Sequence, residues 1–457
     1  MKKKSTIMAF LLLLALAALV IVECEAYTLS GTYTLNSGTA TETNQTYTSN
    51  TEDTSAIYVT NGANLILTNP TITTSGDSSS LDDSSFYGLN AGVLATSGST
   101  ITISGGAVIT TGSGANGVFS TGSGTSITLS NVSISAIGQG GHGVDATLGG
   151  TLTLTDVDIT TAGANGAAVA TDRGGGTITV TGGTIVTSGA DSPGIYSTGT
   201  ITVAGATITA TGAEAAVIEG LNSITLTDTI MSGAEKRGAM IYQSMSGDAS
   251  VGTGTFTMTG GSLTATVGPA FYVTNTRAVI TLNGDAQISA NSGILLSASA
   301  DNWGTSGSNG GTVTFTANSE TLAGNIISDS ISSISVTLEN GTSLTGSINS
   351  AALSLDSTST WNVTADSILT SLTDASGVSG TTIANIYGNG YTVYYDASLS
   401  ANSALGGLTY SLADGGVLTP MGAVPEFSTL GSIAMLITVS TIALLVSLKK
   451  ARAPLKF

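Results

Sequence analysis

Apolar residues alternate with Thr and Ser in short segments that recur along most of the chain. Each segment ends in Asn, Asp or Gly before the apolar pattern resumes. Residues 65–72 read L-I-L-T-N-P-T-I, 127–134 read I-T-L-S-N-V-S-I, 152–159 read L-T-L-T-D-V-D-I and 178–185 read I-T-V-T-G-G-T-I, with variants at 201–208, 224–230, 256–263 and 280–284. Alternation with a period of two is the pattern of a half-buried β-strand. The matching inward positions are Leu67, Ile103, Leu129, Leu154, Val180, Val203, Leu226, Met258 and Leu282, spaced by 36, 26, 25, 26, 23, 23, 32 and 24 residues. A second strand repeats in step at 92–95 (G-V-L-A), 117–120 (G-V-F-S), 143–146 (G-V-D-A), 194–197 (G-I-Y-S), 216–219 (A-V-I-E) and 239–242 (A-M-I-Y).

A unit of 23–26 residues is too short to bury its own apolar face, so it must stack on copies of itself. The fold this predicts is all-β: a single-stranded, right-handed parallel β-helix, each strand hydrogen-bonded to the coils on either side. Inward Ile, Val and Leu then form one continuous column. Two residues after each core position stand Asn69, Gly105, Asn131, Asp156, Gly182, Gly205, Asp228, Gly260 and Gly284. These residue types tolerate a left-handed backbone, which predicts a stacked corner. Roughly thirteen to fifteen coils at ~4.8 Å each predict a rod of roughly 60–70 Å.

The long spacings locate insertions. Residues 76–88 (with Asp77, Asp82, Asp83, Phe86 and Tyr87), 243–254 (with Asp248) and the polar stretch 301–311 (with Asp301 and Trp303) interrupt the repeat. Recognition concentrates on loops held by a rigid scaffold, so these residues are candidate binding loops. From about Ile331 the coils shorten, and Tyr387, Tyr391, Tyr394, Tyr395 and Tyr410 supply side chains large enough to close the open column. The expected organisation is an N-terminal cap and first coils over 27–60, the main β-helix over 61–330, and shorter coils with a C-terminal cap over 331–420.

Both ends read as addresses. Lys2, Lys3 and Lys4 precede an apolar run from Ile7 to Val22, then Glu23-Cys24-Glu25-Ala26, which predicts a signal peptide over 1–26 cleaved after Ala26. The alternative, a lipoprotein acylated on Cys24, has Glu23 where a small residue is needed. Cleavage after Ala26 removes the only cysteine, leaving no disulfide. At the other end, Val424-Pro425-Glu426-Phe427 leads into an uncharged run over 428–448 and a basic tail. As a helix that run is about 31 Å long, enough to span a bilayer core, with the basic tail on the cytoplasmic side. Residues 424–457 resemble the PEF-CTERM sorting signals processed by archaeosortases in methanogenic archaea. The resemblance implies cleavage near Pro425-Glu426-Phe427 by an archaeosortase-like enzyme and transfer to a surface lipid. A plain retained transmembrane anchor is the alternative, and either places residues 27–424 outside the cell.

Charge sharpens this picture. Formal net charge is −18, and removing both ends leaves four basic residues against 26 acidic ones. Such a surface repels phosphate backbones and excludes nucleic acid as a partner.

The unit T-I-T-V-T-G-G-T-I and the segments L-E-N-G-T-S and S-T-S-T-W-N-V-T-A-D-S-I-L-T-S-L look like the passenger domains of autotransporters and related adhesin-like β-helix proteins, over roughly residues 60–400. That resemblance implies a right-handed parallel β-helix and a role in adhesion. A partner would be a glycan, an envelope protein or another extracellular polymer. No translocator barrel follows residue 420, so self-transport across an outer membrane is not expected.

One alternative is a polysaccharide hydrolase or lyase of the same fold. His142, the only histidine, lies in G-H-G (141–143), which resembles a tripeptide of polygalacturonases. Those enzymes also need clustered aspartates for water activation and leaving-group protonation, and a basic residue for the uronate. Asp145, Asp156, Asp158, Asp172 and Arg173 are near, but no N-T-D or R-I-K segment accompanies them. A lyase base would have to be Arg173 or Arg277. No catalytic residue, metal or cofactor is therefore expected, and Asp77, Asp82 and Asp83 lack the spacing of a calcium loop. A third possibility is an ice or crystal binder. Thr128, Thr153, Thr179, Thr202, Thr225, Thr257 and Thr281 should stack outward, with Thr155, Thr181, Thr227 and Thr259 beside them. Asn44, Asn131, Asn340 and Asn362 head glycosylation sequons.

Overall fold

The computed structural model describes residues 27–422. They wind into a right-handed parallel β-solenoid of about 16 turns, a rod of roughly 75 Å at the inter-strand spacing. This exceeds the thirteen to fifteen coils that the repeats predict. The surplus comes from the C-terminal part, where Ser333 pairs with Thr312, Ala352 with Ser335 and Ser371 with Ala352, so each turn consumes fewer residues.

One coil shows the plan. Thr177–Thr181 forms the first face, Gly182 and Gly183 turn the corner, Thr184–Thr187 forms the second face and Ile195–Ser197 the third. The chain then returns to Thr200, which pairs with Thr177. All nine core positions are at most 1% exposed. Leu129, Leu154, Val180, Val203, Leu226, Met258 and Leu282 pair in unbroken register. β-Branched and long apolar side chains stacked on a pleated surface give the column its cohesion.

The nine corner residues all have positive φ, from +46° at Asp228 to +72° at Gly284. A Cβ on Gly105, Gly182 or Gly260 would overlap the side-chain oxygen of Asn69, Asp156 or Asp228 in the coil before. At these steps an Asx corner dictates glycine in the next coil. On the first face Thr102, Thr128, Thr153, Thr179, Thr202, Thr225, Thr257, Thr281, Thr316 and Thr337 pair in one outward rank.

The two ends of the column are closed differently. Glu42 takes the core position beside Leu67, and Tyr33 and Tyr47 donate hydrogen bonds to its carboxylate at 2.9 and 2.7 Å. An inward-pointing charge in the first coil opposes further stacking. At the C-terminal end Tyr395 and Tyr410 are buried and donate to Leu408 O and Leu405 O, while Tyr387, Tyr391 and Tyr394 stay partly or largely exposed. Antiparallel pairing of Val378 with Ile383 and of Tyr410 with Leu418 ends the parallel ladder. No helix among the described residues is long and apolar enough to cross a membrane. Ala26 and Val424, Pro425, Glu426 and Phe427 lie outside the described residues.

Candidate functional site

The third face carries the chemistry. Its outward positions pair in the order Leu94, Phe119, Asp145, Ala170, Tyr196, Val217, Met240, Tyr272 and Ser297. The in-step repeat of the second strand slips here by one residue. Ala216 pairs with Ile195, so Val217 stands beside Tyr196 and points outward with Met240. Small Ala239 sits in the core beside Phe271, and that pairing of volumes favours the slipped register. Val217, Met240, Tyr242 and Tyr272 consequently form an apolar patch outside the main core, with Tyr196 against it.

At one end of this strip the first insertion folds into a short helix, α1 (Leu81–Tyr87), which the sequence reads only as a loop. Ser80 caps it by accepting from Asp83 N at 3.1 Å, and Gly88 ends it at φ +79°. Asp82 and Asp83 lie in its first turn, where the helix dipole favours negative charge. The helix is tied to the solenoid by Asn116 Nδ2 donating to Ser84 O (2.9 Å) and Thr147 Oγ1 donating to Phe86 O (2.9 Å). Arg173 lies 4.0 Å over the Phe86 ring, Tyr87 stacks on Tyr27 at 4.0 Å, and Asp77 accepts from Ser113 N in the next coil.

The other two insertions frame the far end. Arg237 bridges Glu214 (3.1 Å) and Asp301 (3.0 Å) and covers the Tyr272 ring at 4.1 Å. Asn309 closes the 301–311 loop by donating to Asp301 O and Trp303 O. This holds Trp303 with its ring centroid 5.0 Å from that of Tyr242. Trp303, Tyr242, Tyr196, Val217 and Met240 line a pocket of about 180 Å³, whose charged rim is Asp191, Glu214, Lys236 and Arg237. Lys236 pairs with Asp191 on that rim. A second depression, about 480 Å³, lies on the other side of Tyr196 and is lined by Gly174, Thr198, Asn222, Asp248 and Thr255 among others.

Between the two depressions stands a ridge of acids. Glu219 is buried and accepts from Tyr196 (2.6 Å), Tyr242 (3.0 Å) and both the amide and hydroxyl of Ser244. Burial, reinforced by the charges of Asp248 and Glu219, pushes the Asp172 carboxyl up to about 7, against the pull of the Arg173 amide and guanidinium. Asp248 reaches back to Arg173 at 3.4 Å. Asp145 is fully buried with no hydrogen-bond partner of ordinary geometry on either oxygen. Burial first, then the charge of Asp172, raises it far above the usual carboxylate range. Burial also lowers His142 to about 4; its Nε2 lies 3.4 Å from Ser85 Oγ and its Nδ1 has no ordinary partner.

His142, Asp145, Asp172 and Arg173 thus share one face, whereas Asp156 and Asp158 lie at the corner leading into the second face. Glu219, Tyr196 and Tyr242 escape the sequence reading, although they occupy outward positions of the repeated second strand. Among the described residues no group of three or more His, Cys, Asp or Glu side chains could hold a metal ion. Asn44, Asn131 and Asn340 are exposed at positive-φ corners, while Asn362 is half-buried and accepts from Asn389 at 2.7 Å. No known family model matches the chain, and no curated protein matches it.

Proposed function

We propose that this chain is exported, cleaved near Pro425-Glu426-Phe427 by an archaeosortase-like enzyme and held at the cell surface through the lipid transferred there. There it acts as an adhesin-like solenoid that binds neutral extracellular glycan chains along its third face. The observation that carries this reading is the aromatic pocket of Trp303, Tyr242 and Tyr196 with charged groups on one rim. Flat aromatic rings cover the apolar faces of a sugar, and a few fixed polar groups at the rim take its hydroxyls. The neighbouring Glu219 and Asp248 and the chain's formal net charge of −18 disfavour uronates and sulfated chains.

The test is a glycan-array screen of the full-length protein in detergent micelles, with neutral, basic and uronate-containing saccharides on the surface. Neutral chains should bind, and Trp303→Ala should weaken them by about tenfold or more, as for an aromatic hot spot. Binding confined to uronates, or indifferent to Trp303→Ala, refutes the assignment. Capture of envelope protein in place of any glycan would move the reading to a protein partner.

A further inference from the structure

The pocket and the second depression lie side by side. Tyr196, in the strand Ile195–Ser197, lines the first, and Thr198, the residue that follows this strand, lines the second. A glycan long enough to fill both must cross the ridge at this strand. Asp172 follows the adjacent strand Val169–Thr171, whose Thr171 pairs with Ser197, and Asp248 lines the second depression. Both carboxylates are therefore at the crossing point, and both are partly exposed to solvent.

We infer that this ridge hydrolyses what the two depressions bind, with Asp172 as the acid and Asp248 as the base of glycosidic-bond cleavage between them. Asp172 gives its proton to the glycosidic oxygen as that oxygen's bond to the anomeric carbon breaks. Asp248 takes a proton from water as the water oxygen bonds to the same carbon. Exchange with solvent then returns both carboxyls to their starting states. The substrate class is a neutral oligosaccharide, and the inference rests on the glycan-binding reading above.

Two features set this ridge apart from an ordinary acidic surface. Asp145 is sealed with no partner of ordinary hydrogen-bond geometry on either oxygen, at a position where the neighbouring coils hold Phe119 and Ala170. Packing asks for an apolar residue there, yet the fold keeps a carboxyl within electrostatic reach of Asp172. Two carboxyls in unlike surroundings can divide acid from base work. Asp172 is held protonated near neutrality by burial and by Asp248 and Glu219, whereas Asp248 faces the Arg173 guanidinium. The other titratable groups at the ridge are Tyr196 and Tyr242, both bonded to Glu219, Tyr87 of α1, which bonds to Arg173, and the neutral His142 under α1.

The experiment uses full-length protein in detergent with reducing-end-labelled hexasaccharides of β-1,4-linked N-acetylglucosamine, β-1,4-linked glucose and α-1,4-linked glucose. Binding is followed by fluorescence anisotropy and products by chromatography. We expect shorter labelled products, with a rate that declines above about pH 7 as Asp172 loses its proton. Asp172→Asn and Asp248→Asn should each lower kcat by about 100-fold or more, with the unfolding midpoint at or above the parent's for Asp172→Asn and with Kd little changed for Asp172→Asn, which lines neither depression. A hexasaccharide bound but left intact overturns hydrolysis while the binding reading stands. Cleavage that survives both substitutions removes these two residues from the assignment. Failure to bind any hexasaccharide overturns the binding reading and this one with it.

Discussion

The buried acids of the third face make stability depend on pH in a way that Asp172→Asn isolates. In the folded chain Asp172 titrates near 7 against an ordinary value of 3.8, a rise of about three units. Each unit corresponds to about 1.4 kcal/mol, so ionising Asp172 in the native state opposes folding by an upper bound of about 4 kcal/mol. Residual solvent and local relaxation bring the expected figure to about 2–3 kcal/mol. The sign follows from the protons bound. Between about pH 4 and 7 the native state holds a proton that the unfolded chain has lost, so stability falls as pH rises through this window. Asp172→Asn keeps the shape and removes the titration. The variant should match the parent at pH 4 and exceed it by about 2–3 kcal/mol at pH 8. Because Asp172 also raises Asp145, the substitution should shift part of that neighbour's titration downward. Urea unfolding followed by circular dichroism from pH 4 to 8.5 measures the difference. A gap that is the same at both ends of the range refutes the assignment of a raised carboxyl.

Two other perturbations test the scaffold. Glu42→Leu removes the inward charge at the first coil and should promote end-to-end association, read as a rise in sedimentation coefficient with concentration; a variant as monodisperse as the parent refutes the capping role. Gly182→Ala places a Cβ against Asp156 Oδ1 at φ +67°, and should destabilise by about 1–3 kcal/mol. Adding Asp156→Ala should recover the steric part, and strict additivity of the two changes would show that the corner side chains do not meet.

Much of the fold was legible because a solenoid repeats its physics locally. A period-two strand, an Asx or Gly corner and a return strand of fixed length leave only stacking as a way to bury the apolar face. The nine inward residues from Leu67 to Leu282 and the nine positive-φ corners follow from that. The candidate site was legible in pieces only. Asp248, Asp301 and Trp303 stand out in the sequence as insertions, and His142, Asp145 and Asp172 as isolated polar residues. Nothing local joins them. Tyr196, Glu219 and Tyr242 look like ordinary strand residues until the register assigns their direction.

The sequence by itself determined the solenoid, its corners, the threonine rank and the places where insertions leave it, since each depends on residues within one coil or in the next. Only the tertiary structure decided the third face. A one-residue slip at Ala216 turned Val217 and Met240 outward, Arg237 pulled Asp301 and Trp303 over Tyr242, and α1 closed over His142. Side-chain volume beside Phe271, an ion pair spanning 64 residues and a helix docked across several coils set those positions. No pattern confined to one repeat encodes interactions of that range.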